Sequence, residues 1–265
     1  MKSQPYLGIS ENVKRVAKQL LTGYDDYHTV HTARLVKTLD LIHGEVVAAG
    51  EGVKILELGT SGFLPAALKL LFPGVTIDVT NFDNTQPGEH RFKCDFSGVP
   101  IDVKAFSVDL EKEYLSVPDG EYDIVVCGEV LEHMEIDPMF MLSEANRVLR
   151  DGGRLLLTTP NVVSSQGITK MLSGYEPYFF MQYHKTGEYH RHNYEYSVHS
   201  ASVLLRAAGF DPYVWTEDLF EDGMTHEVDK LRKLGYTIEH VGDNILAAAT
   251  KVSGVIERYP HGIYV

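Results

Sequence analysis

The sequence is short of several things, and each shortage excludes a class. Cysteine is scarce, with two residues in 265. Cys94 stands in a polar stretch and Cys127 in an apolar one, without the paired spacing of a disulfide or zinc framework. A reducing, cytoplasmic setting fits that usage. No run reaches the ~18–20 apolar residues that span a bilayer, so no transmembrane helix is expected. The opening Met-Lys-Ser-Gln-Pro-Tyr lacks the basic-then-apolar pattern of a signal peptide. Positive charge is short too: 24 Lys and Arg stand against 37 Asp and Glu, a net charge of −13. Binding along phosphates takes clustered Lys and Arg, so extended nucleic acid and anionic membrane surfaces are poor partners. Repeats, linkers and low-complexity tracts are also missing.

What is present is an ordinary globular composition, 44% hydrophobic and 23% charged, long enough for one large core. Val13, Val16, Ala17, Leu20 and Leu21 recur at helical spacing, as do Leu35, Thr38, Leu39 and Ile42. A polar, aromatic link at 23–31 joins them. Residues 1–50 thus read as an N-terminal helical cap, and 51–265 as the main domain.

Strands and helices then alternate. Val53–Leu58, Val75–Phe82, Ile101–Val108, Tyr122–Cys127 and Arg154–Thr159 read as strands; Leu64–Phe72 and Pro138–Leu149 read as helices. Near-continuously apolar strands between helices predict a doubly wound α/β fold, its mostly parallel sheet covered on both faces. Ser200–Ala208 is a helix closed by Gly209, and a further helix is expected near Glu227–Leu234. Tyr213–Thr216 and Asn244–Lys251 suit a terminal antiparallel strand pair. Residues 162–196 break the alternation with Tyr, Phe and His (Tyr175, Tyr178, Phe179, Phe180, Tyr183, His184, Tyr189, His190, His192), an insert placed to cover a ligand crevice or to pack as a satellite core.

The first strand runs into a loop, Glu57-Leu-Gly59-Thr60-Ser61-Gly62, and then a helix. Glycines there let backbone approach a ligand at positive φ. Asp83, 26 residues after Glu57, lies near the end of the second strand, where a carboxylate can accept both ribose hydroxyls; Asp78 and Asn81 compete for that place. A nicotinamide-dinucleotide enzyme shares this logic, but the G-x-G-x-x-G fingerprint is absent, since Ser61 and Leu64 stand in two of its positions.

In these ordered motifs, roughly over residues 53–210, the chain resembles the class I S-adenosylmethionine-dependent methyltransferases, particularly their bacterial small-molecule branch. The resemblance implies a Rossmann-like fold and S-adenosylmethionine as cofactor. It places Glu57, Gly59, Thr60 and Gly62 near the methionine part, Asp83 at the ribose, Asp109 and Leu110 beside the adenine, and Glu129 at the methionine end. The loop departs from the family pattern, with Ser61 and Phe63 where the second and third glycines fall, unless Gly62 compensates through a shorter loop.

Gly128-Glu-Val-Leu-Glu-His133 carries the second signal. On a helix, Glu129, Glu132 and His133 share one face. With His192, 59 residues beyond His133, they resemble the metal-binding set of O-methyltransferases that act on RNA 3′ ends and ubiquinone precursors, which implies Mg²⁺ or a similar cation. The alternative is metal-free chemistry with His133 or His192 as general base. Histidine-rich chemistry leans toward O-methylation of a small-molecule or glycan hydroxyl. The tail Ile256–Tyr264 and the Tyr27–Arg34 stretch resemble methyltransferases found beside bacterial polysaccharide genes, which implies a sugar-derived acceptor. N- or C-methylation of a metabolite, or a non-catalytic cofactor-binding module, are the other readings. Oligomeric state leaves no trace in the sequence.

Overall fold

The computed structural model describes residues 9–82, 86–177, 192–219 and 226–265. Three helices lead: α1 (Glu11–Leu21), α2 (Asp26–Val30) and α3 (Thr32–Ala49). Helix α1 buries the periodic set read from the sequence, Val13, Val16, Ala17, Leu20 and Leu21. Helix α2 starts where the Asp25 carboxylate accepts the His28 N–H. There follow β1 (Lys54–Leu58), α4 (Phe63–Leu71), β2 (Thr76–Asn81), β3 (Gly88–Phe96), β4 (Val99–Ser107), β5 (Tyr122–Gly128), α5 (Pro138–Val148), β6 (Leu149–Pro160), α6 (Ser165–Leu172), α7 (Val198–Ala207), β7 (Phe210–Glu217), α8 (His226–Lys233) and β8 (Asn244–Lys251).

The strands form one eight-stranded sheet in the order β3-β4-β2-β1-β5-β6-β8-β7. The run β4-β2-β1-β5-β6 is parallel. The pair β7–β8 is antiparallel, with β8 also antiparallel to β6, as expected for the chain's last two strands. Side chains alternate between two cores along each central strand. Ile55, Ile124, Val126, Leu156 and Leu246 face α1, α3 and α4. Leu56, Val125, Cys127, Leu155, Leu157 and Ile245 face α5 and α7. Burial on both sides is why these strands read as continuous apolar runs. The fold is the doubly wound, Rossmann-like α/β architecture expected from the alternation of strands and helices. Among the described residues, no helix is long and apolar enough to cross a membrane.

Apart from the short α2, which falls in the 23–31 link, two elements were not expected. Strand β3 pairs antiparallel with β4 at the sheet's edge, joined by Ser97 and Gly98, both at positive φ. That two-residue turn matches the twist of a hairpin. Its signal was there, in the alternation of exposed Glu89, Arg91, Lys93 and Asp95 with Phe92, Cys94 and Phe96. Helix α6 occupies the start of the 162–196 insert, capped by the Ser164 side chain. The aromatics from Tyr178 to Tyr189, and His190, lie outside the described residues. Residues 151–153 form an irregularity within β6, where pairing jumps from Tyr122–Leu149 to Ile124–Arg154.

Candidate active site

The parallel strands end along one sheet edge, and most sequence-derived candidates among the described residues gather there. Beyond β1 the chain leaves the sheet at Gly59, with φ +71°. The Gly59 N–H donates to Thr80 Oγ1 at 2.9 Å and the Thr60 N–H to the Thr80 carbonyl at 3.0 Å. Gly62, at φ +89°, starts α4 and donates its N–H to Thr60 Oγ1 at 3.0 Å. Gly62 therefore takes the left-handed position, not Ser61 or Phe63. A Cβ at Gly59 would lie 2.8 Å from Val130 Cγ2, so any side chain there would have to displace Val130 as well as adopt a left-handed backbone. Glu57 is buried beneath the loop; burial pushes its carboxyl up to about 8 against a Thr60 hydrogen bond, and its Oε2 has no partner.

Asp78 lies within β2, not at its end, and accepts a hydrogen bond from the hydroxyl of Tyr122, the first residue of β5, at 2.8 Å. Asn81 closes the strand with a buried, unpartnered Oδ1. Asp83 lies outside the described residues. After β4, Asp109 closes a tight turn: its Oδ1 accepts the Glu111 N–H at 3.0 Å and its Oδ2 pairs with Lys112 at 2.7 Å. Leu110 packs against the α5–α7 core.

The expected helix through Glu129 does not form. Glu129 is left-handed, at φ +55°, with its N–H tied to the Thr158 carbonyl at 2.9 Å. Only a single 3₁₀ turn follows, Leu131–His133. Glu129 consequently faces a different set of partners, Asn244 Nδ2 at 3.2 Å and the Arg34 guanidinium at 3.8 Å. Glu132 is fully buried; its Oε2 accepts from Thr159 Oγ1 at 3.0 Å, and its Oε1 has no hydrogen-bond partner. Burial, then the charge of Glu129, raises the Glu132 carboxyl well above its ordinary value.

Residue 192 arrives from a distant segment. The Asn193 N–H donates to the Glu132 carbonyl at 2.8 Å, and Asn193 Nδ2 to the His133 carbonyl at 2.9 Å. Those bonds set the His133 and His192 rings edge to face at 5.0 Å, with His192 Nδ1 held by buried Glu195 at 3.3 Å. Among the described residues, Glu132, His133 and His192 form a group that could hold a metal, their donor atoms within 4.8 Å of one another. Glu129, expected in that set, is not part of it.

The N-terminal helices close the far side. Arg34 is buried, donates from Nη2 to the Tyr27 hydroxyl oxygen at 3.1 Å and leaves its Nε without a partner. Burial works against its charge, but Glu129 and Tyr27 raise its pKa on balance. His31 is driven down to about 4 by burial and then by Arg34, so it is neutral. His28 turns instead to Asp25, at 2.8 Å.

A sequence model of the methyltransferase domain matches residues 40–214, about two thirds of the chain. The chain belongs to the class I S-adenosylmethionine-dependent methyltransferase family. The ubiquinone biosynthesis O-methyltransferase of Thiobacillus denitrificans is 28% identical over 132 residues, 46% of this chain and 54% of that protein. The chain thus spans about half the length of the curated relatives it matches. An S-adenosylmethionine-dependent methyltransferase from Thermotoga maritima superposes with a TM-score of 0.52 at 17% identity, over 89% of this chain and 99% of the other. The cyclase SpnF does so equally, at 0.52 and 17%, covering 92% and 93%. One fold therefore carries different reactions, and the acceptor must be argued from the site.

Several residues of this candidate site carry no signal in the sequence. Thr80 pins the glycine loop, Thr159 holds Glu132, and Asn244 holds Glu129 across 115 residues. None has a motif that marks it. Glu195 was legible in principle, three residues beyond His192.

Proposed function

We propose that this methyltransferase methylates a hydroxyl of a small molecule or sugar-derived glycan, with His133 as general base. The observation that carries this is the convergence of Glu132, His133 and His192 at the sheet edge that also bears the glycine loop. S-adenosylmethionine supplies the methyl group on a sulfonium that is already a good leaving group. The protein is left with alignment and the removal of one proton, which a hydroxyl needs more than an amine does. His133 takes that proton, and His192, fixed by Glu195, holds the ring against displacement. The curated relatives' names support oxygen as the methylated atom.

For the cofactor, Glu57, Gly59, Thr60 and Gly62 cradle the methionine part, with Asp83 at the ribose and Asp109 and Leu110 at the adenine. Glu129 suits the ammonium, and the buried Arg34 with its unpartnered Nε suits the carboxylate. Residues 1–50 act in this reading as a cap on the 51–265 domain, contributing Arg34.

A second reading is favoured by the unpartnered Glu132 Oε1, 4.0 Å from His133 Nε2. Glu132, His133 and His192 would hold a divalent cation such as Mg²⁺, which would lower the acceptor's pKa and orient its oxygens. Mixed carboxylate and imidazole donors suit such an ion.

The test is a product-mass screen with isotope-labelled cofactor over sugars, phenols and amines, with and without EDTA. A methyl ether formed in excess EDTA supports His133 as base. Turnover abolished by EDTA and restored by Mg²⁺ or Mn²⁺ selects the cation. Transfer confined to amines or carbon sinks the O-methylation reading.

A further inference from the structure

We infer that Glu111 is a positioning residue that joins the adenine-side turn to the catalytic turn, so that cofactor binding orders the segment bearing His133. The Glu111 side chain is buried, and its two oxygens accept three consecutive backbone N–H groups: Glu135 at 3.1 Å, Ile136 at 2.6 Å and Asp137 at 2.6 Å. These are charge-assisted bonds, and they hold a loop whose first residue, Met134, directly follows His133.

At its own root Glu111 belongs to a closed turn. The Asp109 carbonyl accepts the N–H of Lys112 and Glu113, Asp109 Oδ1 accepts that of Glu111, and Glu113 Oε2 accepts that of Asp109. A displacement of Asp109 or Leu110 therefore carries Glu111 with it. The far end of the loop is fixed by a different device. Asp137 caps α5 through the Phe140 N–H, is gripped by Arg258, and accepts from the Tyr264 hydroxyl at 2.7 Å. That hydroxyl also accepts the Met139 N–H at 2.9 Å. With Asp137 anchored, motion transmitted through Glu111 is taken up at the near end, around His133. This rests on the reading that places the adenine beside Asp109 and Leu110.

The test is amide hydrogen exchange of the full chain with and without S-adenosylhomocysteine, for wild type, Glu111→Gln and Tyr264→Phe. Gln keeps the shape but turns an N–H₂ toward one of the three N–H groups. In wild type, the ligand should slow exchange at 109–113 and, about tenfold, at 131–137. Glu111→Gln should keep ligand affinity within about threefold and protection at 109–113, yet lose the response at 131–134. It should also lower kcat without raising KM for the cofactor. Tyr264→Phe removes one grip on Asp137 and leaves that of Arg258, so the loop stays anchored and should keep the response, which separates coupling from mere support. If Glu111→Gln does not fold, Glu111→Asp, which keeps the charge on a shorter arm, takes its place. Ligand protection at 109–113 with none at 131–137 in wild type overturns the coupling and leaves the adenine placement standing. Binding without protection at 109–113 overturns the adenine placement and the coupling with it.

Discussion

The two halves of the candidate site are built in opposite ways. The glycine loop is local: six residues from Glu57 to Gly62, with Thr80 from the neighbouring strand, hold it by backbone geometry. The acid–histidine turn is assembled from afar, since Glu132 is bonded by Thr159, its carbonyl by Asn193, and Glu129 by Asn244 and Arg34. A site made of backbone tolerates few residue types but announces itself. A site made of side chains from separate segments depends on packing for its shape, and can change chemistry by changing one contributor.

That contrast can be broken most sharply at Gly59. A valine there meets the ~1–2 kcal/mol penalty of a left-handed L-residue and a contact with Val130. Calorimetry should find no binding of S-adenosylhomocysteine to Gly59→Val; wild-type affinity in a folded protein would show that the loop is not the cofactor's cradle.

On the other half, His133→Ala should lower turnover by about 10²–10⁴-fold while cofactor affinity stays within a few-fold. If affinity falls as far as turnover, the two halves are not functionally separate.

Glu57 sharpens the comparison through pH. Its folded-state pKa, about 8, exceeds the ordinary 4.5, so the unfolded chain loses this proton first. Without ligand, the stability contributed by the neutral carboxyl is whole below pH about 4.5 and is lost as pH rises toward about 8. Glu57→Gln should flatten that slope and be more stable at pH 8 by at most on the order of 4 kcal/mol. Denaturant midpoints across pH 5–8 that run parallel for both proteins would refute the buried, protonated state.

The smallest effect is expected far from both halves. Arg91 pairs with Asp102 at 2.7 Å on the β3–β4 hairpin, both about half exposed. Arg91→Ala should alter stability by no more than ~0.5 kcal/mol and leave cofactor binding unchanged. A larger change would mean the edge hairpin supports the crevice.

Much of the scaffold was readable because periodicity reports which faces are buried. The central strands, α4, α5, α7 and the final antiparallel pair lie where apolar runs and helical spacing put them. Strand β3 carries only the alternation of an edge strand wet on one face, a weaker signal than the apolar runs of the central strands. Helix α6 was obscured by the aromatic composition around it. In the site, Gly59 and Gly62 were legible through conformation, whereas the helix drawn through Glu129 was mistaken. Spacing of three and four puts residues on one face only if the backbone is helical, and Glu129 is left-handed, bonded to β6.

By itself, then, the sequence determined the alternation of strand and helix, the two-faced core and the glycine turn at the end of β1. Each of these follows from neighbours in the chain, through side-chain period and the φ that glycine allows. The tertiary structure alone shows that Glu129 leaves the group of Glu132, His133 and His192 for Arg34 and Asn244, and that Glu111 reaches the loop after His133. Those pairings join residues far apart in the chain, and their distances are set by how the strands and their covering helices pack, which no local pattern encodes.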